Sequence, residues 1–175
     1  IRSRSEGLLK FTETYRNLNK ITTPNLSKVY IRDLFENLHT LMQPTLAQKQ
    51  IEMDIILKDP ELMLEADTNL VEQVMINLIV NAIEASEGDK AYVSIHEYVE
   101  QDDIKIIVAD KGKGITPEIA KYLFTPNFTT KSSGTGLGLA MCKGIVEQMK
   151  GKIWLNQESE SDTQICIKLP IYKFI

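Results

Sequence analysis

The 175-residue sequence holds two cysteines, two histidines and one tryptophan, so the residue types that build disulfide frameworks, metal cages and aromatic platforms are nearly missing. Cys142 and Cys166 lie far apart inside apolar stretches, which suits reduced, buried thiols and excludes a disulfide scaffold. No CxxC pair offers a zinc site. No apolar run approaches the ~20 residues that span a bilayer, and no signal peptide is visible. A basic block is missing too: 20 Lys+Arg against 24 Asp+Glu give a formal charge of −4, without a run that would grip nucleic-acid phosphates. There is no internal repeat. The first residue is Ile1 rather than methionine, so a fragment of a longer protein is expected, with any membrane-bound part upstream.

What is present, 43% hydrophobic and 25% charged residues, suffices for one core and an appendage. From Ile1 to Asn19 the residues Ile1, Leu8, Phe11, Tyr15 and Leu18 fall at heptad-like spacing. That pattern reads as a helix with a partner, or as an N-terminal helix packed on its own domain. Ile21-Thr22-Thr23-Pro24-Asn25 then breaks it as a linker would. A strand is expected near Val29–Ile31, a helix from about Asp33, strands near Ile51–Leu57 and Leu62–Leu64, and a long helix over Asp67–Ala85. Alternation of Val93 and Ile95 with Ser94 and His96 marks a strand at Ala91–Val99, followed by another at Ile104–Ala109. A Pro/Thr/Ser/Gly-rich stretch, Thr125–Thr135, precedes a helix of about Leu137–Met149 and closing strands at Lys152–Asn156 and Gln164–Leu169. The fold class predicted is α/β (α+β), a mixed sheet with helices on one face.

The long helix carries an anomaly. Leu70, Val74, Leu78 and Ala82 form one apolar i, i+4 row, and Val71, Met75, Ile79 and Ile83 another. Beside them runs a row made wholly of amides: Asn69, Gln73, Asn77 and Asn81. A buried amide without a hydrogen bond costs about 1–3 kcal/mol, so this row is either a hydrated stripe or aimed at a polar ligand. The carbonyl oxygen of Asn81 suits Mg²⁺, which prefers oxygen ligands and shares phosphate oxygens. Asn77, one turn earlier, can donate to a phosphate.

Two glycine-rich segments bear on the choice. Asp110-Lys111-Gly112-Lys113-Gly114 follows a strand, placing a carboxylate at the floor of a cleft whose wall has no side chains. Asp110 can accept from the exocyclic amine of adenine, whereas guanine O6 would set acceptor against acceptor. By itself DxGxG is equally a turn or a calcium-like loop. Gly134-Thr135-Gly136-Leu137-Gly138-Leu139-Ala140 runs into a helix, whose N-terminal N–H groups and partial positive charge suit a polyphosphate. These glycines follow a loop rather than the strand that opens a βαβ unit, and GxxxxGK[ST] is absent, so neither a Rossmann site nor a P-loop fits.

Together these segments resemble sensor histidine kinases. Asn77 to Ala82 is similar to the family's N box, Asp110 to Gly114 to its first glycine box, Leu123 to Lys131 to its F box, and Gly134 to Leu139 to its second glycine box, all in order. The resemblance covers about Val29 to Pro170. It implies the Bergerat-type two-layer sandwich of the GHKL superfamily, a mostly antiparallel sheet with ATP between the long helix and a lid. It further implies ATP and Mg²⁺ as cofactors: Asn81 as the metal ligand, Asn77 on the phosphate side, Asp110 on adenine with Gly112 and Gly114 around it. Gly134, Thr135, Gly136, Leu137 and Gly138 form the phosphate cradle, Lys131 reaches phosphate from the lid, and Thr163 lies near adenine. Phe11 to Arg16 is similar to the second helix of the dimerisation and phosphotransfer hairpin in nitrogen-regulation-type sensor kinases. The implied division is 1–20 hairpin helix, 21–27 linker and 28–175 catalytic domain. The phosphoacceptor histidine would then lie upstream, so no catalytic residue is assigned here.

On this resemblance the function is transfer of the ATP γ-phosphate to a histidine on the dimerisation helices of a homodimer, for relay to a response-regulator aspartate. The domain would be cytoplasmic, in a bacterial sensor that meets the membrane only through its missing upstream segments; no nucleic-acid partner is implied. A GHKL-type ATPase or a nucleotide-dependent regulator of the pseudokinase kind is the alternative. The ATPases carry a glutamate where Asn77 stands, which cannot act as a base. Three positions depart from the family: Glu84 replaces a basic residue, Asp162 a glycine, and Lys150-Gly151 keeps one glycine of a pair. His39 mimics a phosphoacceptor through Pro44 at +5, but Thr40 and Met42 replace the motif's polar partners. His96 is expected at the surface.

Overall fold

Strands of alternating polarity and helices with apolar stripes must bury those faces against each other. In the computed structural model, which describes residues 23–86, 91–126, 138–159 and 162–174, they do so in two layers. Helices α1 (Ile31–Lys49), α2 (Thr68–Ala85) and α4 (Gly138–Gln148) form one layer, with a single turn, α3 (Pro117–Ala120), beside them. The other is a five-stranded sheet in the order β2 (Glu52–Leu57), β4 (Tyr92–Glu100), β5 (Asp103–Asp110), β7 (Thr163–Pro170), β6 (Lys152–Leu155). Only the β2–β4 pair is parallel. The two-layer, mostly antiparallel architecture is the one expected, and the long helix falls within a residue of its predicted bounds. The predicted N-terminal helix lies outside the described residues.

One difference concerns the sheet. The strands expected near Val29 and Leu62 do not join it: β1 (Ser27–Tyr30) and β3 (Met63–Ala66) pair antiparallel as a separate two-stranded sheet. The register explains why this is stable. Val29 faces Leu64, both buried, while Lys28 faces Glu65.

In the large sheet the register places Val93, Ile95, Ile106, Val108, Ile165 and Ile167 on the face turned to the helices, where all are buried. The apolar rows of α2 lie against them: Val71, Val74, Met75, Leu78, Ile79, Ala82 and Ile83 are buried, whereas Leu70 is half-buried. Asp67 caps α2, its Oδ1 accepting from Leu70 N at 3.2 Å. Cys142 and Cys166 are both buried free thiols, as expected, and burial pushes the Cys142 thiol up to about 12.

Glu97 occupies the same inner face and is fully buried. Its two carboxylate oxygens accept from Asp59 N at 2.9 and 3.2 Å, fastening the β2–β3 turn to β4. Burial raises its pKa, opposed by the Asp59 N–H. A raised folded-state value means that stability is fullest below the ordinary glutamate pKa and is lost as pH rises through the folded one. Glu97→Gln is therefore expected to flatten that loss in denaturant titrations run from acid to neutral pH.

Helix α4 ends with Lys150 at φ 62, a left-handed conformation, and Gly151 N donates to Val146 O at 2.9 Å. Lys150→Gly should stabilise the domain by about 1 kcal/mol, raising the melting temperature by ~2–4 °C. Gly151→Ala should lower it, because a Cβ there would meet Lys168 O at 2.3 Å. Thermal melts of the two variants check both.

Candidate functional site

The amide row of α2 lies along the edge of a cleft of about 410 Å³ lined by Asn69, Glu72, Gln73, Ile76, Asn77, Val80 and Met141. Asn69 and Gln73 are exposed and Asn77 half-buried. Beside it, Gly138 opens α4 so close to α2 that a Cβ on it would fall 2.9 Å from Asn77 Oδ1 and 3.3 Å from Asn77 Nδ2. Gln73 Nε2 donates to Met141 Sδ at 3.6 Å, one turn into α4. The amide segment and the last glycine of the second glycine run therefore form one wall.

A second group gathers where β5 ends. Asp110 is 6% exposed and lies opposite Thr163 in the β5–β7 register, on the face turned to the helices. Gly112 N–H donates to Asp110 Oδ1 at 2.9 Å. Gly112 also packs on the last turn of α2, where a Cβ would meet Ala85 O at 1.9 Å; no other residue type fits. Gly114 turns the chain at φ 76, with Thr163 Oγ1 3.9 Å from the position of its Cβ. Burial pushes the Asp110 carboxyl above the usual aspartate range, the Gly112 N–H pulls it back, and Asp162 adds to the rise.

The two groups lie against one row of α2. Asn77, Asn81 and Ala85 are successive members of one i, i+4 row, so the Gly138 contact and the Gly112 contact sit about 12 Å apart along α2. Asn81, half-buried, stands between them. The structure thus brings together Asn77 with Gly138, and Asp110 with Gly112, Gly114 and Thr163, and sets Asn81 midway. Lys131, Gly134, Thr135, Gly136 and Leu137 lie outside the described residues. Sequence reasoning did not single out Met141 as a wall residue; only its position one turn after Gly138 could have signalled it. It also left Glu72 unremarked, the one carboxylate lining the cleft among the described residues.

The remaining expectations resolve simply. His39 is exposed on α1, its Nε2 2.8 Å from Gln43 Nε2, and belongs to neither group. His96 is half-buried on the sheet face turned away from the helices, opposite Ile107 of β5. Asp162 accepts from Ser159 Oγ and from Gln164 Nε2 at 3.1 Å, so this departure from glycine is absorbed within the β6–β7 turn. Among the described residues no group of three His, Cys, Asp or Glu could hold a metal. The donor set fits a hard cation that shares phosphate oxygens and takes one amide oxygen from the protein, not a resident cage. No helix among the described residues is long and apolar enough to cross a membrane.

The domain family described as histidine kinase-, DNA gyrase B- and HSP90-like ATPase matches residues 66–173, more than half the chain. The chain belongs to this family. Within it, this ATPase-type domain is an ATP-binding catalytic domain of the histidine-kinase kind. It is 33% identical over 154 residues to the sensor histidine kinase ZraS of Escherichia coli (strain K12), a match covering 88% of this chain and 33% of that protein. It is 35% identical over 142 residues to sporulation kinase E of Bacillus subtilis (strain 168), covering 81% of this chain and 19% of that protein. The chain thus spans a third or less of these relatives. Among solved structures, the catalytic domain of histidine kinase ThkA superposes with a TM-score of 0.76 at 29% identity, covering 83% of this chain and 95% of that one. The Acinetobacter baumannii histidine kinase AdeS gives 0.77 at 26%, covering 98% and 82%.

The Gly138 contact separates binding from stability in this domain. Gly138→Ala adds a helix-favouring residue, so the melting temperature should hold or rise. The new methyl displaces the Asn77 amide, and ATP affinity should fall about tenfold, the worth of one hydrogen bond. Calorimetric titration beside a thermal melt checks the split.

Proposed function

We propose that this domain binds Mg·ATP lengthwise in the α2 trough and delivers its γ-phosphate to a histidine on a dimerisation hairpin, for relay to a response-regulator aspartate. The observation that carries the reading is the pair of glycine contacts on one helix row, Gly112 on Ala85 and Gly138 on Asn77. They bring backbone without a side chain to α2 at two points about 12 Å apart, with Asp110 beside one and Asn77 at the other. Asp110 Oδ1 is held by Gly112, and the other carboxylate oxygen accepts from the adenine amine. Thr163 borders the same end. Asn77 donates to phosphate, Asn81 gives its carbonyl oxygen to Mg²⁺, and the segment from Gly134 to Gly138 supplies backbone N–H groups, with Lys131 reaching in from the lid. Bound Mg²⁺ would neutralise phosphate charge; the chain's own part is to position and to exclude water.

Residues 1–20 serve in this reading as the second hairpin helix of a homodimer, 21–27 as linker and 28–175 as catalytic domain. The relatives' names support a sensor setting; in the same reading this domain lies on the cytoplasmic side of a bacterial membrane-bound protein. A hydrolase reading has one observation in its favour, the Glu72 carboxylate lining the cleft. Steady ATP turnover by this chain, abolished in Glu72→Gln, would favour it over phosphotransfer.

The direct test is titration with Mg·ATP and Mg·GTP. Saturable binding of the adenine nucleotide alone is expected, weakened in Asp110→Ala by about 10–100-fold, the worth of a hydrogen bond to a charged group. Absence of saturable binding, or unchanged affinity in the variant, overturns the site. Because the ionised Asp110 accepts from the adenine amine more strongly than the protonated acid does, affinity should fall as pH drops through its raised pKa, above the usual aspartate range. Extending the chain upstream to the phosphoacceptor helix should restore autophosphorylation with labelled ATP; none despite tight binding favours a regulator.

A further inference from the structure

The turn between β6 and β7 fixes a carboxylate that the core does not need. Asp162 Oδ1 accepts from Ser159 Oγ and from Gln164 Nε2 at 3.1 Å, and its Oδ2 lies 3.2 Å from the same Gln164 nitrogen. A carboxylate only accepts, so the Gln164 amide must turn its NH₂ toward Asp162. Its carbonyl is then left for Asn156, whose Nδ2 donates to Gln164 Oε1 at 2.9 Å, while Asn156 Oδ1 accepts from Glu158 N at 3.1 Å. Asn156, Gln164 and Ser159 are thus linked to hold one acid, and both side chains that donate to it are neutral, so its charge survives the bonding. The register sets that charge at the base end of the site. Asp110 lies opposite Thr163, so Asp162 falls one residue beyond the pair, at the level of Lys111. Lys111 does not cancel it from there: its ammonium is drawn toward β4, 5.5 Å from the Tyr92 ring centroid. Lys113 follows in the glycine loop and Glu84 lies in the last turn of α2, yet among the described charged groups Asp162 is the one that adds to the rise of the Asp110 carboxyl. Bonded to Gln164, the partner of Ala109, Asp162 stands behind Asp110 and not in the cleft, so it acts through its field and not by contact.

We infer, on the nucleotide reading of this site, that Asp162 is a specificity-determining residue: a fixed second carboxylate behind Asp110 that strengthens the hold on a base carrying an exocyclic amine. A negative charge attracts the positive end of an N–H dipole whether or not it accepts from it, and a half-buried charge is screened less than one at the surface. An amine bonded to Asp110 therefore meets two negative charges. A purine with hydrogen in place of the amine gains from neither. Glycine, which the family resemblance places at this position, carries no charge, so this part of the selectivity belongs to this chain. A turn that needed only to be closed would not need the charge. Oδ1 alone takes the bonds from Ser159 and Gln164, and an amide oxygen of the same shape would accept both.

The test compares the full chain with Asp162→Asn, which keeps the Oδ1 bonds and removes the charge, and with Asp162→Gly. Each is titrated with Mg·ATP and with the Mg complex of purine riboside triphosphate, which lacks only the amine. The triphosphate is common to both, so the ratio of affinities isolates the base end. The preference for ATP should fall about threefold in both variants. In the nucleotide-free chain, the Asp110 carboxyl followed by carbon-13 NMR should titrate at lower pH in both, toward the ordinary aspartate range, because a like charge that raised it has gone. If Asp162→Gly does not fold, Asp162→Asn alone decides. An unchanged preference, or an unmoved Asp110 titration, in Asp162→Asn overturns the inference. So does a preference lost in Asp162→Gly but kept in Asp162→Asn, the mark of a purely structural turn. Failure of the parent to bind either nucleotide overturns the nucleotide reading itself and this inference with it; in the other outcomes ATP binds and only the role of Asp162 falls.

Discussion

Helix α2 meets two opposed demands at once. Its apolar rows must be sealed against the sheet to hold the core, and its amide row must stay open for half the functional site to exist. Close approach of glycine reconciles them. At Gly112 and Gly138 a neighbouring backbone comes to the helix without a side chain between, so the row is walled but not filled. The cap at Asp67, the Schellman-like end of α4 and the register of β5 with β7 serve to hold those two approaches in place.

The folded state carries local costs that no packing requirement explains. Asp110 is buried with its carboxyl pushed upward. Three lysines face one another across β5, β7 and β6. Local rules of this kind are broken where structure is bent to a purpose, and the sound core elsewhere tolerates the loss. Glu97 is the counterexample: it is equally buried, but its carboxylate is spent on the Asp59 backbone and ties a turn to a strand.

Much of this was legible in the linear chain because it is local. The rows of α2, the glycines after Asp110 and those before Leu139 recur at short intervals, and the long helix and the strands fall close to where periodicity puts them. What was not legible depends on register between distant segments. Nothing near Val29 or Leu64 says that they pair with each other outside the large sheet. Ser94, read as a polar-face residue, is 7% exposed because β2 and β5 flank it on both sides. The lysine row likewise belongs to no segment: Lys105, Lys168 and Lys152 meet only through the register of three strands.

The parallel pairing of β2 with β4 has a consequence for how the domain is made. The β4–β5 hairpin closes through Gln101 and Asp102 and can form early, but β2 joins β4 only after β3 and α2 have crossed over between them. Nucleotide can bind only the finished chain, so in the cell its abundance draws nascent molecules toward the native state by mass action.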